Sequence, residues 1–442
     1  MLNSHLKTPY LVLLTSYLLV SCSVQKQIAK SAKADVISTA PFKAAHLGIS
    51  VYEPATGKYW YDYQGDKYFV PASNTKIPTC YAAMKYLGDS LIAFTYDELP
   101  DRVYIQPNGD PSFLLPEFKN QGAFNFLNKL NKPINIDLSG WKSRPLGSGW
   151  TWNDYEATYM AERSAMPIYG NVISFSGQLS NPKIFPAKAV ASIKADSINS
   201  SSFLKEVHRG KADNDYMIVG GGKTSTTQEL TFDTENSKII ARLLSDTLKI
   251  PVSFSYPTSI VPYKISPDRS VKSQPTDSLL KPMMHRSDNF FAEQSLLMVS
   301  NKLLGVMNDS KIIDTLLKTD FKDLPQKPRW ADGSGLSRYN LFTPQDFVAI
   351  LNKMQKEFPM ERIKTIFATG GEGTISSYYK ADSGYIYAKT GTLSGVVAFS
   401  GFLYTKKGKL LIFSTLVNNH QANVTDIRRA IEKFLKGIRS RY

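Results

Sequence analysis

Three short motifs in a fixed order, Ser73-Asn74-Thr75-Lys76, Ser287-Asp288-Asn289 and Lys389-Thr390-Gly391, constrain this chain more than anything else in it. A fold that uses them together must bring three segments to one point, although a domain-sized stretch separates the first from the second. Singly they carry little. Ser-x-x-Lys also occurs at Ser23/Lys26, Ser180/Lys183 and Ser377/Lys380. Ser287-Asp288-Asn289 alone reads as a helix cap before Phe290 to Met298, and Lys389-Thr390-Gly391 alone as a strand end and turn. The ordered set supplies every group that an active-site serine acyltransferase needs.

Ser73 and Lys76, three positions apart, lie on one face of a helix, so the amine can take the hydroxyl proton. Phe69-Val70-Pro71-Ala72 reads as a strand end and turn, and Ile77 to Leu87 as a buried helix. Ser73 then sits near a helix N-terminus, where free backbone N–H groups and the dipole favour an oxyanion. Pro78 fits only in the first turns of that helix. Lysine is a base only when neutral, and a second cation, Lys389, is expected to lower the Lys76 pKa.

Lys389 to Thr392 follows the β-rich run Tyr385-Ile386-Tyr387 and reads as a strand beside the site. Gly391 is expected to let substrate approach that backbone. The N–H of Thr392 would pair with that of Ser73 as an oxyanion hole, while Lys389 and Thr390 bind a substrate carboxylate. Ser287 and Asn289, in an extended or turn segment, would point to the same side. One would relay a proton to the leaving amine and the other hold the substrate amide.

At this point the chain resembles the penicillin-recognising serine enzymes, and most closely the D-alanyl-D-alanine carboxypeptidase/endopeptidase family of low-molecular-weight penicillin-binding proteins. The resemblance spans nearly all of residues 40 to 442. It rests also on Asn108-Gly109-Asp110-Pro111, Trp150-Thr151-Trp152-Asn153-Asp154, Asp332-Gly333-Ser334-Gly335-Leu336-Ser337-Arg338 and Gly371-Glu372-Gly373-Thr374. It implies Ser73 as nucleophile, Lys76 as general base, Ser287 and Asn289 as proton relay and substrate ligand, and Lys389 and Thr390 as carboxylate ligands. In some relatives the positions of Asp154, Tyr159 and Arg338 form a pocket for the peptidoglycan side chain. Here Asp154 could pair with the free amine of a diamino acid and Arg338 with its carboxylate. The plainer alternative is that Asp154 caps a helix and Arg338 makes a surface pair.

The implied fold is α/β (α+β): a transpeptidase/β-lactamase-like domain with an antiparallel sheet flanked by helices, residues 41–96 and 265–442, interrupted by a β-rich insertion over 97–264. The implied substrate is the peptidoglycan stem peptide, with β-lactam antibiotics as covalent inhibitors and no cofactor or metal. A β-lactamase is the nearest rival, but no deacylating Glu-x-x-Leu-Asn segment is present. A non-catalytic wall-binding scaffold is the rival from another class.

The formal net charge of +15 would ordinarily raise nucleic acid as a partner, yet the basic residues are dispersed and no nucleic-acid motif accompanies them. At the N-terminus, Lys7, the apolar run Tyr10 to Val20 and Leu19-Val20-Ser21-Cys22 read as a lipoprotein leader over residues 1–21. Cys22 would carry a lipid anchor to a membrane in an exported, periplasm-facing protein. Residues 22–40, polar and lysine-containing, read as a flexible tether. Two further segments have clear periodicity: a hairpin over Gly48 to Tyr61 leading to Ser73, and a C-terminal amphipathic helix over Asn423 to Tyr442. The hairpin should share a sheet with strands at Val396 to Tyr404 and Lys409 to Val417. Val219-Gly220-Gly221-Gly222-Lys223 lacks the phosphate-loop order and reads as a tight turn.

Overall fold

The computed structural model describes residues 24–195, 202–235, 238–255, 265–266 and 268–442. The leader and Cys22 lie outside the described residues. The chain forms two compact units. One comprises the residues up to Asn74 with Leu324–Arg329 and Asn340–Tyr442, and the other Thr75–Asp323 with Trp330–Tyr339.

The first unit is built on a six-stranded antiparallel sheet. Its strands run Ala368–Thr369, Ile386–Leu393, Val396–Tyr404, Leu410–Asn418, His46–Glu53 and Lys58–Tyr63 in spatial order. The N-terminal hairpin therefore joins the C-terminal strands, as its alternation implied. Val396–Tyr404 and Leu410–Asn418 are buried almost throughout because helices cover the sheet. Helix Val424–Arg441 lays Ile427, Ile431, Phe434, Leu435 and Ile438 against Val397, Phe399 and Leu403. The side chain of Asn423 caps it, accepting from the N–H of Thr425 at 2.8 Å. Helix Pro344–Glu357 packs on strands Leu410–Asn418 and His46–Glu53.

The segment expected to be a flexible tether is ordered from residue 24. Residues 24–32 are helical and lead into Lys33–Ile37 and Ala40–Phe42. Ile28, Ala32 and Val36 recur every four residues and are fully buried in the core of this unit. That stripe outweighs the polarity of the residues between, and an ion pair of Asp35 with Lys433 at 3.0 Å ties the segment to the C-terminal helix.

The second unit holds helices Lys76–Tyr86, Thr276–His285, Asn289–Leu304 and Asp309–Lys318 together with two sheets. The five-stranded sheet runs Val252–Ser255, Ile134–Asp137, Val103–Pro107, Ser90–Glu98, Ser270–Pro275, and mixes parallel with antiparallel pairs. The six-stranded sheet takes all its strands from Val172 to Thr231. The middle of the chain is thus β-rich, but the boundaries read at 97 and 264 cut through the five-stranded sheet, whose first and last strands along the sequence begin at Ser90 and end at Pro275. The glycine run is likewise no tight turn: Gly220 to Gly222 end strand Asp215–Gly222, where the register slips. A Cβ on Gly222 would stand 2.6 Å from the Leu204 carbonyl oxygen, so glycine there permits close strand approach.

Candidate active site

In the first unit, Ser73 lies in the one-turn helix Ala72–Thr75. The chain enters it from Phe69, bridged to Phe342, and from Val70, whose N–H and carbonyl both bond the Asn418 side chain at 2.7 and 3.0 Å. Ala72 is fully buried with φ +47°, a left-handed conformation that costs a non-glycine residue about 1–3 kcal/mol and marks functional sites. The amide nitrogen of Asn74 donates to Ser400 Oγ at 2.7 Å, and Ser400 donates to Ser414 at 2.8 Å, which pins the turn to the sheet.

Lys389, Thr390 and Gly391 sit on strand Ile386–Leu393, paired with Val396–Tyr404. A Cβ on Gly391 would meet the Pro71 carbonyl oxygen at 2.7 Å, the Ser73 nitrogen at 2.9 Å and the Ala72 Cβ at 3.1 Å. Glycine is therefore required here for the Ser73 turn to approach the strand, where the sequence had suggested room for substrate. Lys389 is fully buried and donates to the Thr390 carbonyl at 2.7 Å. The Thr390 hydroxyl donates to Thr374 at 2.7 Å, and the Thr392 hydroxyl accepts from Arg428 at 2.7 Å.

In the second unit, Lys76 opens the helix Lys76–Tyr86, which Pro78 tolerates because it lies in the first turn. Its side chain is fully buried, and its Nζ donates to Asn289 Oδ1 at 2.6 Å and to the Ser334 carbonyl at 2.7 Å. Burial lowers its pKa to about 8 against the opposing pull of Asp332, Glu293 and Asp288. Desolvation is thus the largest cause of the shift the sequence had assigned to a second cation.

Asn289 uses both ends of its amide, accepting from Lys76 and donating to the Tyr159 carbonyl at 2.8 Å. The two partners, one a donor and one an acceptor, fix which way it points. Of the extended or turn conformation expected, Ser287 takes the turn: it is left-handed at φ +65°, and Asp288 and Asn289 start the helix Asn289–Leu304. Asp288 caps that helix, accepting from the Phe291 N–H at 2.9 Å. The cap turn at the same time sets Asn289 toward Lys76. Ser287, Asn289 and Tyr159 line a cavity of about 540 Å³ that reaches Arg286, Tyr169 and Glu229.

Asp154 lies in the short turn Trp152–Asp154, close enough to Tyr159 for its charge to act on that hydroxyl. Tyr159 is half exposed, and its hydroxyl pKa is raised, first by burial and then by Asp154. Arg338 is exposed at the end of the loop Asp332 to Ser337. The same loop binds the neighbouring segment through Trp150, whose indole donates to Asp332 Oδ2 at 2.9 Å.

Residues 29–438 match the D-Ala-D-Ala carboxypeptidase 3 (S13) family. The chain belongs to this family. Membership makes it a serine-type peptidase, a hydrolase. It is 25% identical to the D-alanyl-D-alanine carboxypeptidase DacB of Haemophilus influenzae over 404 residues, 81% of this chain and 82% of that one. The solved structure of penicillin binding protein 4 from the same organism superposes with a TM-score of 0.71 at 21% identity, covering 93% of this chain and 98% of that one. A second structure of that protein, complexed with a β-lactam, gives a TM-score of 0.67 at 19% identity, covering 94% and 98%. These likenesses show the shared fold.

In this S13 chain the sequence reading gave no role to several groups around these residues. Glu293, fully buried, accepts from the Ser334 N–H at 2.8 Å, and Asp332 accepts from the N–H groups of Gly335 and Ser337 at 2.8 and 2.6 Å. Together they shape the loop whose carbonyl receives Lys76. Glu293 stands four residues after Asn289, one turn along the same helix face, and that spacing was the available signal. Thr374, although it ends the Gly371-Glu372-Gly373-Thr374 motif, and Arg428 had no signal for these contacts, since each reaches the Lys389 strand only through tertiary packing.

Proposed function

We propose that this S13 peptidase is an exported cell-wall D-Ala-D-Ala carboxypeptidase and DD-endopeptidase that works through an acyl-enzyme on Ser73. The observation that carries the reading is the state of Lys76. A neutral amine has two N–H bonds and one lone pair; Asn289 Oδ1 and the Ser334 carbonyl take the two N–H bonds, which directs the lone pair to a third position. With a pKa of about 8, about a tenth of the molecules hold that neutral amine at pH 7.

Ser73 Oγ attacks the carbonyl of the penultimate D-alanine, and its proton passes to Lys76 Nζ. The backbone N–H groups of Ser73 and Thr392 hold the oxyanion. Collapse breaks the C–N bond, and a proton delivered through Ser287 leaves with the amine. Water then resolves the ester. Lys389 and Thr390 bind the terminal carboxylate. Free D-alanine as leaving group makes the reaction a carboxypeptidase step, and a cross-linked diamino acid makes it an endopeptidase step. A β-lactam opens its ring on Ser73 in the same way, a reading supported by the β-lactam complex of the Haemophilus protein. Lipid anchoring at Cys22 rests on the leader sequence.

The closeness of Asp154 to Tyr159, which lines the cavity beside Ser287 and Asn289, supports a side-chain pocket in which Asp154 meets the free amine of meso-diaminopimelate and Arg338 its carboxylate. Digestion of disaccharide pentapeptides tests both points. The wild type is expected to release D-alanine, and Asp154→Asn to lose about tenfold in kcat/KM on the diaminopimelate stem while a stem acylated on that amine is cut at an unchanged rate. No release from either stem contradicts the assigned activity; equal losses on both contradict the pocket.

A further inference from the structure

Helix Asn289–Leu304 carries a carboxylate that the proposed chemistry does not use. Glu293 Oε1 accepts from the Ser334 N–H at 2.8 Å, and the carbonyl of the same residue accepts from Lys76 Nζ at 2.7 Å. One peptide unit away from the amine, then, a buried anion holds the loop that receives it. Gly333 makes this possible: a Cβ there would stand 2.9 Å from the Ala292 carbonyl oxygen, so only glycine lets the loop lie flat on the helix. Thr79, one turn after Lys76, donates to the Gly333 carbonyl at 2.7 Å and fixes the loop from the other side.

The carboxylate is itself held. Arg163 Nη1 donates to Glu293 Oε2 at 3.2 Å and to Asp309 at 2.8 Å, and its remaining N–H groups go to the carbonyls of Arg144 and Leu146. All five guanidinium hydrogens are used, as a buried arginine requires. Glu293 and Arg163 are each 1% exposed, and a buried ion pair of this kind is a poor source of stability. A role in setting the amine accounts for its presence better.

We propose that Glu293 is a positioning residue for the reaction, holding the Ser334 peptide against Lys76 and biasing that amine toward its protonated form, so that the pair sets both the geometry of the base and the pH at which it works. The proposal rests on the reading of Lys76 as the base. The charged groups acting on Lys76 include Asp332, Glu293 and Asp288, and those acting on Glu293 include Asp332, Arg163 and Asp309. Burial and Asp332 raise the carboxyl pKa of Glu293, while Arg163 and the Ser334 N–H oppose the rise.

Two substitutions separate charge from reach. Glu293→Gln keeps an oxygen for the Ser334 N–H and removes the negative charge. Glu293→Asp keeps the charge and withdraws it by one methylene. The readout is the rate constant for acylation by benzylpenicillin between pH 5.5 and 9.5, with thermal unfolding followed alongside. Glu293→Gln is expected to move the acid limb to lower pH, so that its rate at pH 7.5, where the wild-type carboxyl is ionised, taken relative to its own plateau, rises about threefold. Glu293→Asp is expected to leave the limb in place and lower the plateau about tenfold. A limb unmoved in Glu293→Gln overturns the proposal, and so does a wild-type plateau in Glu293→Asp, which decides the matter even where the glutamine variant does not fold. A wild-type profile that is flat across this range removes Lys76 as the base and the proposal with it.

Discussion

Lys76→Met is expected to slow acylation by benzylpenicillin by about 10³-fold, the scale of a lost general base, without unfolding the chain. Methionine matches the lysine stem in length and volume, so the fully buried channel that holds it stays filled. Asn289 Oδ1 and the Ser334 carbonyl lose their donor, at about 1–3 kcal/mol each. The variant no longer has to bury an amine whose pKa burial has already lowered to about 8, and this offsets part of that loss. The sign of the pH effect follows. In the proposed mechanism only the free amine accepts the Ser73 proton, so the wild-type rate should climb about tenfold per pH unit below 7 and level off above 8. The residual rate of Lys76→Met should lack that limb. A variant that keeps the limb at reduced amplitude would assign the titration to another group.

Gly391→Ala is expected to lower the same rate constant by about 100-fold and to destabilise the fold by about 1–3 kcal/mol. The obstacle is space. The new methyl would meet the Pro71 carbonyl at 2.7 Å and the Ser73 nitrogen at 2.9 Å, both backbone atoms that cannot swing aside. The strand cannot retreat either, since Gly391 pairs with Ala398 in the middle of a buried ladder. The Ser73 turn must yield, and with it the proposed nucleophile and one proposed oxyanion donor. Acylation kinetics and thermal unfolding read the two effects, and a wild-type rate in a folded Gly391→Ala protein would remove the close approach from the account.

What the sequence disclosed and what it hid divide along the range of the interactions. The turn at Ser73, the helix after it, the hairpin and the C-terminal helix each carry a local signal: Pro78 near a helix start, alternation in Lys58–Tyr63, a four-residue stripe from Ile427 to Ile438. The same kind of stripe at Ile28, Ala32 and Val36 was masked by lysines and serines, so a packed segment read as a tether. Ser287-Asp288-Asn289 offered two readings that seemed to compete, although a cap at Asp288 is what aims Asn289 at Lys76. Asp332, Thr374 and Arg428 meet their partners tens to hundreds of residues away in sequence, and no local pattern marks such a contact; for Glu293 only its spacing from Asn289 did. The limits of the inserted region were misjudged because strands Ser90–Glu98 and Ser270–Pro275 are neighbours only after folding.

The central claim is that Ser73 forms a covalent acyl-enzyme. Intact-protein mass, followed over time after mixing the chain with benzylpenicillin, tests it most directly. Ring opening retains every atom of the drug, so the account expects a long-lived gain of one whole benzylpenicillin in the wild type and none in Ser73→Ala. No adduct in the wild type, or the same adduct in Ser73→Ala, would contradict it.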